Sequence, residues 1–410
     1  MTAMRRFRLA GAIVAALVWA GGLNAAADVS PEPKNWSEVE AAAQGQTVYW
    51  YAWAGERLIN DHIAWVGEQV QARYGVTLEH VKISATSEAV SKVVAEKAAG
   101  RDDDGAVDLI WINGPNFAAM KENDLLFGPW AEDLPNFALV DVENKPAVLN
   151  DFTIPTDGLE APWNMAQIVF YYDSARVPEP PRTAQALLEW AQANPGRFAF
   201  PTPEDFLGAT FLKQVLVELA PDQSRLQEEA SDFDFDEITA PLWAYLDVLT
   251  PNLWRKGQAY PANSSELRRL LGDGEIDIGL AFNPAEASAA IAKDEIPDTV
   301  RTLVFEGGTI GNASFIAIPY NAAHKAGAMV VANFLMSPEA QLDKQRPDGF
   351  GGFTVLAMDK LSPEDRAAFE AQPRGVATLS PEELGAHLPE PHPSWMTRVG
   401  KAWKERYGLR

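Results

Sequence analysis

Between residues 47 and 112 the chain alternates short β-forming runs with helical runs, and that rhythm limits its fold more than any other feature. "TVYWYAW" (47–53) is dense in β-branched and aromatic residues and stops at Ala54-Gly55. "RLINDHIAWVGEQVQARYG" places Leu58, Ile59, Ile63, Val66 and Val70 at helical spacing and ends on Gly75. "VTLEHVKIS" reads as a second strand and "ATSEAVSKVVAEKAAGR" as a helix from Thr86-Ser87 to Gly100. "AVDLIWINGPNF" (106–117) reads as a third strand. A β-α-β-α-β order argues for a parallel sheet covered by helices. Similar signals return in "GRFAFPTPEDFLGATFLKQVLVEL", "SSELRRLLGDGEIDIGLAFNPAEASAAI" and "NASFIAIPYNAAHKAGAMVVANFLMSPEAQ", so the chain is α/β throughout. Upstream, Ser37 and Glu40 have capping-box spacing, which predicts a short helix. From Leu361 onward the pattern is helical and broken by prolines. A chain of 410 residues exceeds one ordinary core and predicts two domains.

The first residues read as an export signal. Arg5, Arg6 and Arg8 precede an apolar run from Leu9 to Leu23, and Ala25-Ala26-Ala27 stand before Asp28. The run is short for a spanning helix, and cleavage is expected after Ala27, giving a signal peptide over 1–27. Removing it shifts the formal charge from −23 to −26. A surface so acidic repels nucleic acid and anionic lipid. No later stretch is long and apolar enough to insert in a membrane. The expectation is a soluble periplasmic protein acting as a monomer.

Most catalytic chemistry lacks its residues. There is no cysteine, which removes disulfides, thiolate catalysis and cysteine-held metals. Neither a G-x-S-x-G elbow, a Walker lysine motif, a dinucleotide fingerprint nor H-E-x-x-H occurs. His387 and His392 lie five apart across prolines and read as loop residues rather than metal ligands. No cofactor and no metal is expected. Glu204-Asp205 is the best carboxylate pair for a secreted glycosidase-type hydrolase, and that alternative stays open. Acids at a helix start also serve as caps.

What the sequence does supply is a set of polar strand ends. Trp53 to Gly55, Ser84 to Ser87, Asn113 to Asn116, Thr202 to Gly208 and Phe282-Asn283 share hydroxyls, amides, glycines and aromatic rings. In parallel α/β sheets, ligands sit beyond the carboxyl ends of the strands. Rings grip apolar or cationic faces, and amides and hydroxyls fix orientation. Each has a plainer reading, since Asn113-Gly114 suits a turn and Trp53 suits a core. Recurrence at one strand end after another favours a binding cleft without a nucleophile.

Four segments carry a resemblance: "VDLIWINGPNFAAMKENDLLFGPW", "APWNMAQIVFYYDSARV", "LLGDGEIDIGLAFNPAEASAA" and "ASFIAIPYNAAHKAGAMVVANFLMSPEAQ". Together they resemble the extracellular solute-binding proteins of ABC importers, family 1, in the YnjB-like branch. The resemblance implies a type II periplasmic binding protein fold. Two lobes, each a mainly parallel sheet flanked by helices, would enclose a cleft at the hinge. It implies lobe one at 46–158 plus 301–345 and lobe two at 163–300 plus 347–410. It also implies delivery of a small solute to permease subunits in the inner membrane. The first-lobe contacts would be Trp53, Gly55, Ser84, Thr86, Ser87, Asn113, Gly114 and Asn116. Trp163 and Asn164 would face the cleft at the hinge. Phe206, Gly208, Tyr260, Asn263, Phe282 and Asn283 would serve the second lobe, and Asn312 the return crossing. Few acids and no Arg or Lys stand at these positions, so an anion clamped by arginine is disfavoured. The expected ligand is a small polar organic solute, with a lean toward a cation or zwitterion.

Overall fold

A computed structural model describes residues 32–408, apart from 347, 348 and 386. The expected signal peptide lies outside the described residues. The chain begins with α1 (Trp36–Ala43), β1 (Thr47–Trp53), α2 (Arg57–Tyr74), β2 (Thr77–Ile83), α3 (Thr86–Ala98), β3 (Leu109–Ile112) and α4 (Pro115–Glu122). Glu56 caps α2 by accepting from Leu58 N–H, and Gly75 ends it in the left-handed region at φ 67°. β4 (Asn150–Asp151) and β5 (Ile154–Pro155) form a small ribbon. β6 (Glu160–Gln167) runs almost directly into β7 (Val169–Asp173).

Next come α5 (Ala184–Ala193), α6 (Phe206–Leu219), α7 (Phe235–Leu249), α8 (Ser264–Gly272), β8 (Ile278–Ala281), α9 (Glu286–Ile291) and β9 (Val300–Leu303). Every residue of α6 from Leu207 to Val217 is buried, so it is an internal helix rather than an amphipathic cover. β10 (Thr309–Ala317), α10 (Lys325–Leu335) and α11 (Pro338–Gln345) follow. The tail holds α12 (Pro363–Ala371), α13 (Pro381–Leu384), β11 (His387–Leu388) and α14 (Pro393–Tyr407).

Two sheets result. In the first, β2, β1 and β3 are parallel, β10 lies antiparallel to β3 and to β6, and β11 joins β10 in parallel. In the second, β7 lies antiparallel to both β8 and β9. Both sheets are therefore mixed or antiparallel, and the mainly parallel character expected holds for β2-β1-β3. The reversed strands are β10 in the first sheet, which runs against both β3 and β6, and β7 in the second, which continues β6 between β8 and β9.

Two hydrophobic cores accompany the sheets. The first gathers residues 39–165, 313–361 and Phe369; the second gathers 168–310 and 377–403. The cores exchange at positions 165–168, 310–313 and 369–377. Residues 300–305, taken from sequence as largely first-lobe, pack in the second core because β9 pairs with β7. Residues 350–369 pack in the first core although the sequence reading put them in the second lobe.

Two local expectations fail and a third holds over a shorter span. The Ser37–Glu40 capping box does not form; α1 starts at Trp36, whose indole N–H donates to Glu40 at 2.9 Å. The third strand is four residues long, and just ahead of it the Asp108 carboxylate accepts N–H bonds from Tyr49 and His324. The 198–200 run makes one bridge, from Phe198 to Ile278, and no longer ladder. Pro201 ends it, and Phe200 packs instead on Phe211 with ring centroids 4.5 Å apart.

Candidate functional site

A cleft of about 1130 Å³ lies between the two cores. Its floor is the pair of crossing strands. Asn164 and Ala166 on β6 face the same way as their partners Ser314 and Asn312 on β10, as the period-two rule requires. The first-core wall is built from the ends of β1, β2 and β3 and the helix starts that follow them. The second-core wall is the 202–207 loop, α8, the β8–α9 turn with α9, and one face of α14 from Met396 onward.

Many of the residues singled out from sequence meet here. Trp53, Ser84, Thr86, Ser87, Asn113 and Asn116 line the first wall. Asn164 and Asn312 line the floor, and Phe206, Phe282 and Asn283 line the second wall. Several already have partners. Ser84 Oγ donates to Glu88 at 2.5 Å, and Thr86 Oγ donates to the Trp111 carbonyl at 3.1 Å. Asn113 Nδ2 donates to the Ala313 carbonyl at 2.7 Å, tying the end of β3 to β10.

Others lie elsewhere. Trp163 is fully buried in the first core, not on the cleft. It stands behind Trp111, at 4.9 Å and 83°, and Phe350, at 5.7 Å, so it supports two rings that do line the cleft. Tyr260 packs on Phe200 and Trp403. Gly208 serves helix packing: a Cβ there would meet the carbonyl oxygens of Pro201 and Thr202 at 2.2 Å. Gly114 N–H donates to Asp151 at 2.7 Å at the start of α4. Gly55 and Asn263 line a smaller adjoining hollow, which Trp53 and Asp205 also border. Asn263 caps α8 through Glu266 N–H.

Sequence reasoning missed the charged groups. Arg268 of α8 reaches across the cleft to Glu56 at 2.6 Å, and also holds Glu286 at 2.7 Å and Glu295 at 3.6 Å. Burial opposes its charge, but the carboxylates of Glu286 and Glu56 outweigh that and keep the guanidinium protonated. Ser265 Oγ donates across the same gap to the Gly55 carbonyl or Glu56, at 3.2 and 3.0 Å. One signal was available: Leu267, Leu270 and Leu271 mark the buried face of α8, and Arg268 sits beside that stripe.

Beneath the floor lies a second ionic group. Lys213 of α6 pairs with Glu390 at 2.6 Å, both fully buried, and Asn312 Nδ2 donates to the same carboxylate at 2.8 Å. Burial pushes both members toward their neutral forms, raising Glu390 and lowering Lys213. The Lys213 amine stands 4.3 Å from the Phe152 ring centroid and 5.0 Å from that of Phe206. Burial also pushes Asp151 up to about 8, with Gly114 N–H pulling the other way. Glu160 is raised well above the usual carboxylate range for the same reason.

The carboxylates offered for a hydrolase have other partners. Glu204 is exposed and paired with Lys404 at 2.5 Å, and Asp205 caps α6 by accepting from Leu207 N–H at 2.8 Å. His392 caps α14, and the ring of His387 packs over Gly311. Among the described residues, no group of three or more His, Asp or Glu side chains is placed to hold a metal ion. No described helix is long and apolar enough to cross a membrane.

Residues 65–364 match the bacterial extracellular solute-binding proteins as a family. Protein YnjB of Escherichia coli strain K12 is 41% identical over 390 residues, covering 95% of this chain and 98% of that one. Among solved structures, a putative spermidine/putrescine ABC transporter protein from Listeria monocytogenes superposes with a TM-score of 0.63 at 15% identity. That match covers 88% of this chain and 99% of the other. The periplasmic binding protein AfuA from Actinobacillus pleuropneumoniae, with fructose-6-phosphate bound, gives 0.61 at 12% identity over 89% and 99%. The chain belongs to the bacterial extracellular solute-binding proteins, with the two-lobed type II fold and a solute-binding role.

Proposed function

We propose that the protein captures a small polar organic solute between two closing lobes and hands it to the permease subunits of an ABC importer. Each hydrophobic core is one lobe, and the exchanges at 165–168, 310–313 and 369–377 are the crossings. Trp53, Ser87, Asn113, Asn116, Asn164, Phe206, Phe282, Asn283 and Asn312 are the contacts. The chain is exported, cut after Ala27, and works in the periplasm as a monomer.

The observation that carries this reading is the floor. Two antiparallel strands that pass between the cores turn Asn164, Asn312 and Ser314 into the space between the walls. A site on the crossings senses lobe position directly, which couples binding to closure.

Native mass spectrometry of the freshly purified mature protein tests it. A stoichiometric small molecule, released intact on denaturation, is expected. X-ray scattering should then give a smaller radius of gyration with that molecule than without it. A molecule returned chemically altered would revive the hydrolase, and unchanged dimensions would sink the closure.

A further inference from the structure

If the cleft takes up a solute, as proposed above, its chemistry also selects the solute's charge. Small anions are held at helix N-termini, where unpaired N–H groups and the helix dipole converge. Five helices of eight or more residues begin at this cleft, and a carboxylate already stands at each start. Glu56 takes the N–H of Leu58 at α2. Glu88 takes those of Ser84 and Ala85, at 2.9 and 3.1 Å, at α3. Asp151 takes that of Gly114 at α4, and Asp205 that of Leu207 at α6. Glu266 takes that of Ala262 at 2.7 Å, just ahead of α8. An anion would meet donors already taken at or just ahead of each start, and negative charge at four of the five, since burial keeps Asp151 largely protonated at neutral pH.

Two of the four cations of the lining are engaged by carboxylates. Arg268 is ringed by Glu56, Glu286 and Glu295, and Lys404 is paired with Glu204. The Lys293 amine has no hydrogen-bond partner, but it lies in the field of Glu295, Glu56 and Asp61 as well as Arg57. Lys401 is exposed on α14.

Four buried polar atoms of the lining have no partner: two donors on the second wall, Lys293 Nζ and Trp403 Nε1, and two acceptors on the floor. The side-chain oxygens of Asn164 and Asn312 are buried at the floor, on residues 4% and 3% exposed, and no donor reaches them. Asp205 caps α6 and has no cationic partner among the described residues. Aromatic pairs stand on both walls: Trp53 with Trp111 at 6.5 Å and 84°, and Phe206 with Phe282 at 5.2 Å and 69°. Unsatisfied acceptors, one unpaired carboxylate and π-faces are the complement of a positive charge bearing N–H groups.

We propose that the solute is an organic ammonium ion, with its charge at Asp205 between Trp53 and Phe206 and N–H groups toward Asn164 and Asn312. Burial holds the Asp205 carboxyl up to about 6, as fits a carboxylate without its counter-charge.

The test uses the mature protein, stripped of ligand by unfolding and refolding. A low-molecular-mass bacterial extract is split by ion exchange at pH 7 into cationic, neutral and anionic fractions, and each is scored by thermal shift. The cationic fraction should raise Tm by several degrees and the others should not. Asp205→Asn keeps a helix cap of equal quality, so its unliganded Tm should stay within about a degree. Its affinity for the active cation should fall about tenfold or more, the loss of one charge-assisted bond. A shift confined to the anionic or neutral fraction overturns the cation assignment and leaves the binding role standing. A cation shift undiminished in Asp205→Asn overturns Asp205 as the anchor. No shift with any fraction overturns the binding role itself.

Discussion

Asn113 does two things that its local sequence cannot separate. It lines the cleft, and its Nδ2 bonds the Ala313 carbonyl 200 residues away. A residue that only touched ligand would leave the melting of the empty protein unchanged when removed. Here Asn113→Ala should lower unliganded stability by about 1 kcal/mol, the usual worth of a part-buried neutral hydrogen bond, as well as weaken binding. Urea midpoints of the stripped protein measure the first effect; an unshifted midpoint would mean the bond to β10 does not hold in solution. Gly114 beside it is fixed by its backbone, at φ 53° with the Phe152 ring 2.8 Å from where a Cβ would stand. Asp151, which receives its N–H, gives a pH prediction. Its folded pKa, up at about 8, lies above the ordinary value near 4. The folded state therefore binds more protons, and this stabilising term is complete below pH ~4 and lost as pH rises toward 8. Asp151→Asn should flatten the fall of denaturation midpoint between pH 5 and 8. A slope equal to that of the unsubstituted protein would show that another group carries it.

α6 shows how an internal helix is fixed to a distant tail. Lys213 and Glu390 are 177 residues apart and meet at 2.6 Å with both side chains buried. Breaking such a pair leaves a bare buried charge, whereas removing both members often costs little. Lys213→Met should destabilise by roughly 3–5 kcal/mol, and Lys213→Met with Glu390→Leu should recover at least half of that in guanidinium unfolding. A double variant as unstable as the single one would mean the Asn312 bond to Glu390, not the pair, is what matters. The same elements show what the sequence could reveal. α2, α3, α8, β1 and β2 were legible because their periodicity and stops are local. So were the strand-end amides and rings, because fold rules put them beyond the sheet. The second sheet's direction was not legible, since nothing within 169–173 says that β7 continues β6. Nor were Arg268 with Glu56 or Lys213 with Glu390, because a charge pair across 177 to 212 positions leaves no local pattern.

Across the whole molecule, the two cores touch through a charged clasp as well as through the strands, the Asn283 amide on the Phe350 carbonyl and the Lys213 amine over the Phe152 ring. Arg268 and Ser265 of the second core meet Glu56 and the Gly55 carbonyl of the first. Glu286 and Glu295 lie on Arg268's own side, so separating the walls strips it of Glu56 alone. Under the proposed closure, the clasp therefore adds to the stability of the closed form without touching the solute. A binding protein's apparent affinity scales with how readily the competent form is reached. Glu56→Gln keeps the side-chain shape and removes the charge, which a part-buried, charge-assisted bond turns into about 1.5–3 kcal/mol. Solute affinity should fall roughly tenfold to a hundredfold. The ligand-free protein should also scatter X-rays with a larger radius of gyration, while the solute-saturated form keeps its dimensions. Lost affinity with unchanged ligand-free dimensions would instead put Glu56 in direct contact with the solute. Affinity and dimensions both unchanged would mean that the strands and the neutral contacts, Ser265 to the Gly55 carbonyl and Asn283 to that of Phe350, set the distance between the walls.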